Sequence, residues 1–134
     1  MFQPSPLSMD DKTAAFLERG RVLFNSGRFF EAHEAWEQAW LGEEGTIRTL
    51  LQGLIQVAAG LLKASRAERA SGCAQLLAAA LDKLEPLAPD LAGLDLVSFR
   101  RSVEAFQTAA APWLEGETSA PSGPFPQLKR TTGS

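Results

Sequence analysis

The sequence has little cysteine, little histidine and no concentration of basic charge. Its one cysteine, Cys73, excludes an internal disulfide framework and a zinc site built from cysteines. The 13 lysines and arginines are outnumbered by 16 acidic residues, which gives a net charge of -3. The nearest approach to a basic cluster, Arg66, Arg69 and the pair Arg100 and Arg101, is interrupted by apolar or acidic neighbours. Duplex binding needs a concentrated cationic surface, so we expect no nucleic-acid partner.

Targeting and membrane-spanning patterns are also absent. The first eight residues lack the basic start and the apolar core of a secretion signal. The longest apolar stretch, residues 50–62, is interrupted by Gln52 and Gln56 and is too short to cross a bilayer. We therefore expect a soluble, cytoplasmic protein without a membrane partner.

The periodicity of the chain is helical throughout. Alternating apolar and polar runs are missing, whereas apolar residues recur every three or four positions. The pattern predicts an all-α fold, a single compact bundle of about five helices in which the first two form an antiparallel hairpin and the third is central. The expected helices cover residues 9–25, 28–41, 46–68, 71–85 and 95–112, with Ser8 or Asp10 capping the first and Gly27 ending it. The domain is expected to span residues 8–114. Residues 115–134, rich in Pro, Gly, Ser and Thr, are expected to form a flexible tail unless Phe125 docks on the bundle.

A catalytic or binding site is most plausible in the second helix, which holds the only histidine and two of the three tryptophans. On a helical wheel, His33 and Glu37 share a face inside an otherwise apolar arc, while Glu34 is on the solvent side. Two ionisable groups in such a setting should have partners. One interpretation is a structural pair, in which Glu37 orients His33 at the seam with the third helix. The other is a polar spot at the mouth of a pocket lined by Trp36 and Trp40.

The third helix is apolar around most of its circumference, which is typical of a central helix. Gln52 and Gln56 form either a narrow solvated stripe or a pair of amides that face the histidine. Gly53 and Gly60, seven residues apart, indicate the close approach of another group, for which the two tryptophans of the second helix are the expected occupants. Arg48 is the expected ion-pair partner of Glu34 or Glu37.

A metal site is not expected from this pattern. His33-Glu34-x-x-Glu37 is similar to the zinc-protease pattern His-Glu-x-x-His, but its second histidine is replaced by glutamate. A di-metal bundle would need a glutamate three residues before the histidine, where this chain has Phe30. Only a metal shared across a dimer axis is left open, and we expect no cofactor.

Two motifs carry a resemblance to a known family. The first is Phe24-Asn-x-Gly-x-Phe-Phe-Glu-x-His33-Glu-x-Trp-Glu-x-x-Trp40, and the second is Arg48-x-x-Leu-Gln-Gly-Leu-Ile-Gln-x-Ala-Ala59. With the Gly-x-Ala and the Leu- and Ala-rich helix that follow, residues 16–84 resemble the domain-of-unknown-function 309 family of small all-helical bacterial and archaeal proteins. The resemblance implies a helical bundle and no established activity. In that family the third helix often carries a histidine near its end; Lys63 stands about there, which weakens any two-histidine metal site.

A second similarity concerns helix packing. Residues 27–39 are similar to the turn and second helix of a tetratricopeptide unit, and residues 69–86 look like another such helix. The corresponding alanines, Ala32 and Ala74, are too far apart for that repeat of about 34 residues. A helical hairpin is therefore supported and a repeat array is not.

Two functional hypotheses follow from these observations. The first is a non-enzymatic binding or interaction module whose helical faces receive another protein or a second copy of the chain, with Trp36, Trp40, Arg48, Gln52, Gln56 and Glu34 as candidate binding residues. The second is a small-molecule hydrolase or lyase with His33 as general base, oriented by Glu37, and with the two glutamines holding polar groups of the substrate. No complete catalytic constellation is visible, which favours the first hypothesis.

Overall fold

The structure is a computed structural model that describes residues 9–131. Within these residues it consists of five helices joined by short links, with one turn of 3-10 helix and no strand beyond an isolated bridge between Leu94 and Arg130. This confirms the all-α class. The helices are α1 (Asp11–Asn25), α2 (Phe29–Leu41), α3 (Gly45–Ser65), α4 (Ala70–Leu84) and α5 (Leu96–Leu114).

Capping side chains explain where two of the helices begin. The Asp10 carboxylate accepts the backbone N–H of Thr13 at 2.7 Å, and the Asp95 carboxylate accepts that of Ser98 at 3.0 Å. Asp10 is thus the cap of α1; Ser8, the other candidate, lies outside the described residues. Gly27 follows α1 with a φ of 81°, a conformation that favours glycine. The predicted boundaries differ from the observed ones by a few residues at most. α5, for example, continues past Pro112 to Leu114.

Each helix packs on the next one along the chain, which places α3 between α2 and α4. α1 and α2 run in opposite directions, because Phe24 meets Phe29 beside the connecting turn while Thr13 bonds to Glu43 past the far end of α2. The last helix also contacts the first, because Phe24 of α1 packs against Phe99 of α5 with the centres of their aromatic rings 5.7 Å apart.

Two close helix approaches depend on glycine. Gly53 and Gly60 face Leu84 and Leu77 of α4, so the expectation that tryptophans of α2 occupy this space is wrong. The tryptophan that does meet a glycine is Trp36, which lies against Gly20 of α1. The helical wheel showed that the two glycines share one face of α3, but it did not show which neighbouring helix covers that face.

α3 is long and apolar enough, by length and composition, to cross a membrane. At 21 residues, α3 is longer than the apolar stretch of residues 50–62 identified from the sequence. Half of its most apolar window is buried inside the protein, and the core helix of a soluble bundle passes the same test.

The C-terminal region corrects the expectation of a flexible tail. Phe125 packs between Phe29 and Phe106, and Leu128 is fully buried in the core. The condition attached to that expectation, docking of Phe125, is met. Up to residue 131 the region belongs to the folded unit; residues 132–134 lie outside the described residues.

Candidate functional site

α2 presents one buried and one exposed face. It begins at Phe29, and Glu31 in its first turn suits the positive end of the helix dipole and forms an ion pair with Arg28. Gly42 follows its last residue. The buried face packs into the core through Phe29, Ala32, Ala35, Trp36 and Ala39. The remaining positions of α2 include half of the eight residues for which a function was predicted, namely His33, Glu34, Glu37 and Trp40.

Trp36 is a core residue. Its side chain is fully buried, and its indole Nε1–H donates to the backbone carbonyl of Leu17 at 3.0 Å. Its ring packs against Phe24 and against Gly20, where no other residue would leave room. Trp36 therefore has no surface to offer a ligand, contrary to the expectation of a tryptophan-lined pocket.

His33 and Glu37 are close but partly solvated. His33 Nε2 lies 3.7 Å from Glu37 Oε1, with side-chain exposures of 27% and 49%. This distance is longer than a hydrogen bond. His33 Nδ1 is buried and has no hydrogen-bond partner among the described residues. The pair lies at the edge of the buried face, because the apolar arc assigned to it from the wheel is buried on the Trp36 side and exposed on the side of Phe30 and Leu41.

Trp40 and Arg48 form a second contact between α2 and α3. The Arg48 guanidinium lies 3.8 Å from the centre of the Trp40 ring, a cation–π geometry, and its Nη1 donates to the Glu43 carbonyl at 3.1 Å. Within residues 9–131, Arg48 makes no ion pair with Glu34 or Glu37, so that expectation is wrong. The arginine instead holds the α2–α3 link against the tryptophan.

The two glutamines of α3 do not converge on the histidine. Gln52 is exposed, while Gln56 Oε1 accepts a hydrogen bond from Lys83 Nζ of α4 at 3.0 Å. Gln56 thus connects α3 to α4. Of the alternatives left open from the sequence, the solvated stripe describes Gln52.

The exposed face of α2 carries two large apolar side chains. Phe30 and Leu41 are 50% and 67% exposed and, with Val22 on α1, are the large apolar side chains most open to solvent in the described part of the chain. Glu34 and Glu37, both exposed, lie between them at helical spacing. We call these four residues the α2 stripe. The sequence signal for it was present, since residues 30, 34, 37 and 41 share one side of the wheel, but only the structure shows that this side is uncovered.

The histidine and its neighbouring glutamate are absent from the lining of the main grooves. Five grooves among residues 9–131 are lined by neither His33 nor Glu37. The first, of about 460 Å³, lies between α5 and the C-terminal region. Glu34 borders a groove between α1 and α2 of about 430 Å³. In this same range no three His, Cys, Asp or Glu side chains lie close enough together to hold a metal ion.

Comparison with known proteins supports the resemblance seen in the motifs. Residues 17–76 match the sequence model of a family described as Domain of unknown function (DUF309). A search of the curated proteins finds no match. The matched residues run from the middle of α1 into α4 and include all of α2 and its stripe. This match confirms that residues 17–76 resemble the DUF309 family, whose function is unknown.

Proposed function

We propose that the protein is a non-enzymatic module that binds another protein through the α2 stripe. The observation that carries this proposal is the exposure of Phe30 and Leu41 on one side of a helix whose opposite side is fully packed. Exposed apolar residues that stand singly need no explanation, but two on one helix face form a surface that a partner can cover.

The stripe specifies the chemistry of the partner. Phe30 and Leu41 lie eleven residues apart, about 16 Å along the helix axis at 1.5 Å per residue. The carboxylates of Glu34 and Glu37 lie between them. A complementary partner segment therefore carries two apolar side chains at a similar separation with lysine or arginine between them.

Charge makes a second copy of this chain a poor partner for the same surface. In a two-fold symmetric contact between two antiparallel stripes, Phe30 of one copy meets Leu41 of the other, and Glu34 meets Glu37. Facing like charges oppose such a contact. We therefore assign the stripe to a different protein with a basic and apolar segment.

The enzyme alternative has less support. A hydrolase or lyase that used His33 as general base would need a substrate cavity beside that residue, and His33 lines none of the five grooves described above. Trp36, the expected wall of the pocket, is sealed in the core.

Variants of the stripe test the proposal. Partners captured from a cell extract by the wild-type protein should be lost with the double variant Phe30→Ser and Leu41→Ser. They should also be lost with the charge reversal Glu34→Lys and Glu37→Lys. Val22→Ser is the matched control, because Val22 is also 50% exposed but lies on α1. Circular dichroism should show the same helix content for every variant.

Two results would contradict the assignment. Capture of the same proteins by wild type and by both stripe variants would show that they bind elsewhere. Sedimentation that shows a wild-type dimer, converted to monomer by the double serine variant, would make the stripe a self-association surface.

A further inference from the structure

The C-terminal residues 123–131, which we call the strap, pack across the bundle without forming a helix. Phe125 packs edge-on against Phe29 and stacks on Phe106, with ring centres 5.2 and 5.6 Å away. Leu128, three residues further on, is fully buried. Two apolar side chains of the strap thus pack against the helical bundle.

The main chain of the strap is held by side chains of α1. The carboxamide of Asn25 donates to the Leu128 carbonyl at 2.9 Å and accepts the Leu128 N–H at 2.8 Å. Arg21 Nη1 donates to the same carbonyl at 3.2 Å. A single asparagine therefore satisfies both backbone groups of Leu128, as a neighbouring strand would do.

The end of the strap pairs with the link that precedes α5. The N–H of Asp95 donates to the Lys129 carbonyl at 2.8 Å, and the N–H of Thr131 donates to the Gly93 carbonyl at 2.9 Å. The Arg130 side chain reaches back to α1, where its guanidinium lies 3.0 Å from the Glu18 carboxylate. Main-chain bonds and an ion pair thus fix the register of this segment.

These contacts have the form of peptide recognition. In proteins that bind extended peptides, main-chain hydrogen bonds supply affinity and pockets for particular side chains supply specificity. The helices beneath the strap already close on each other, since Phe24 of α1 meets Phe99 of α5. The connection from α5 to the strap includes residues 115–119, all of them exposed. The strap is therefore arranged like a ligand on a tether, because its connection is exposed and the contact between α1 and α5 does not include it.

We propose that the strap is a releasable internal ligand of a peptide-binding groove, and that the groove binds a segment of the same chemistry from a partner protein. The groove comprises Asn25 and Arg21 of α1, the phenylalanines at 29 and 106, and the main chain of residues 93–95. The segment it selects carries a phenylalanine, a leucine three residues later and an arginine two residues after that. This site is separate from the α2 stripe and does not depend on the function proposed for that stripe.

Tethering makes the strap a strong competitor. A segment on a short flexible linker has an effective concentration of about 1 mM at its own groove. A free peptide of the same sequence must therefore bind the wild-type protein more weakly than a protein whose strap is disabled, by at least about tenfold when the closed form predominates.

Fluorescence anisotropy of a labelled peptide with the sequence of residues 123–131 tests the proposal on the full-length chain. The strap variant, Phe125→Ser with Leu128→Ser, should bind the peptide at least tenfold more tightly than wild type does. The same peptide with both residues replaced by serine should not bind. Adding Asn25→Ala to the strap variant should abolish the gain. The control is Val22→Ser, which removes an exposed apolar side chain outside the groove and should bind the peptide as weakly as wild type.

Hydrogen exchange of the unmodified protein provides a test that needs no variant. The amides of Leu128 and Thr131 should exchange through a local opening, faster than buried amides of α3 such as that of Leu54, because release of the strap leaves the helices folded. Equal exchange rates at all three amides would overturn the proposal.

Three further results would also overturn it. Loss of helix content in the strap variant would show that the segment is an integral part of the core rather than a ligand. Retained helicity without a gain in peptide binding would show that the groove does not form in the absence of the strap. A wild-type dimer in sedimentation that the strap variant cannot form would show that copies exchange their straps, so that the groove serves self-association.

Discussion

The contact between Gly20 of α1 and Trp36 of α2 makes a sharp prediction for Gly20→Ala. At a solvent-exposed position inside a helix this change stabilises a protein by about 1 kcal/mol. Here an added Cβ would overlap the indole ring, with Cε2 2.6 Å away. The ring cannot retreat easily, because it is fully buried and its N–H is bonded to the Leu17 carbonyl.

The expected result is a net loss of stability. Overpacking of a buried site costs about 1–3 kcal/mol, and disruption of the buried indole hydrogen bond costs about 1–3 kcal/mol more. After subtraction of the helix-propensity gain, the free energy of unfolding should fall by about 3 kcal/mol, within a range of about 1–5. Urea denaturation followed by circular dichroism should show a lower midpoint, by about 1–3 M.

Gly72→Ala is the matched control for this prediction. Gly72 also lies within a helix, but an added Cβ there would meet only the flexible stem of Lys63, at 3.1 Å. Because that stem can move into solvent, the control should be neutral or stabilising by up to about 1 kcal/mol. If Gly20→Ala proves as stable as wild type, α1 and α2 do not approach each other as closely as this contact requires.

Three further predictions concern ionisable groups. Glu37→Ala should leave the free energy of unfolding within about 0.5 kcal/mol of wild type, because the Glu37 carboxylate is half exposed and lies 3.7 Å from His33. A loss of stability above about 1 kcal/mol in urea denaturation would refute this. Burial raises the pKa of the Cys73 thiol from 9.0 to about 11, which leaves about a hundredfold less thiolate at pH 8. A thiol-reactive dye at pH 8 should therefore label native protein at least about a hundredfold more slowly than protein unfolded in urea, and equal rates would show that the thiol is accessible. The hydrogen-bonded Arg21 guanidinium, followed by Arg130, lowers the pKa of Glu18 to about 2. A lowered folded-state pKa gives stability that is complete above the ordinary pKa of 4.5 and is lost as the pH falls towards 2. After allowance for solvent screening this contribution is about 0.5–1 kcal/mol, so wild type should exceed Glu18→Gln by that amount at pH 6 and by less at pH 3, and a constant difference would exclude the linkage.

Local sequence signals predicted the helices well. The spacing of apolar residues indicated five helices, and the carboxylate of Asp10 and the glycine at position 27 act where the capping rules place them. These features depend on residues a few positions apart, whose relation is the same in any fold. The ends were less certain, as α5 shows by continuing past Pro112.

The candidate site was predicted only in part. The wheel placed His33 and Glu37 side by side, and the structure has them 3.7 Å apart. It could not show that Trp36 would be sealed against Gly20, or that Arg48 would stack on Trp40. Those contacts join residues from different helices, and periodicity within one helix carries no information about its neighbours.

The sequence by itself determined the helical class, the positions of the turns and the membership of each helix face. Periodicity, caps and glycines act within a few residues along the chain, and for that reason they can be recognised without a structure. Tertiary structure alone decided which apolar faces are covered. It left Phe30 and Leu41 in solvent, and it brought Phe125 and Leu128 onto the bundle about a hundred residues after Asn25, the residue that binds the strap. Burial depends on the path of the whole chain, so a side chain's hydrophobicity predicts that it can be covered but not which part of the protein will cover it.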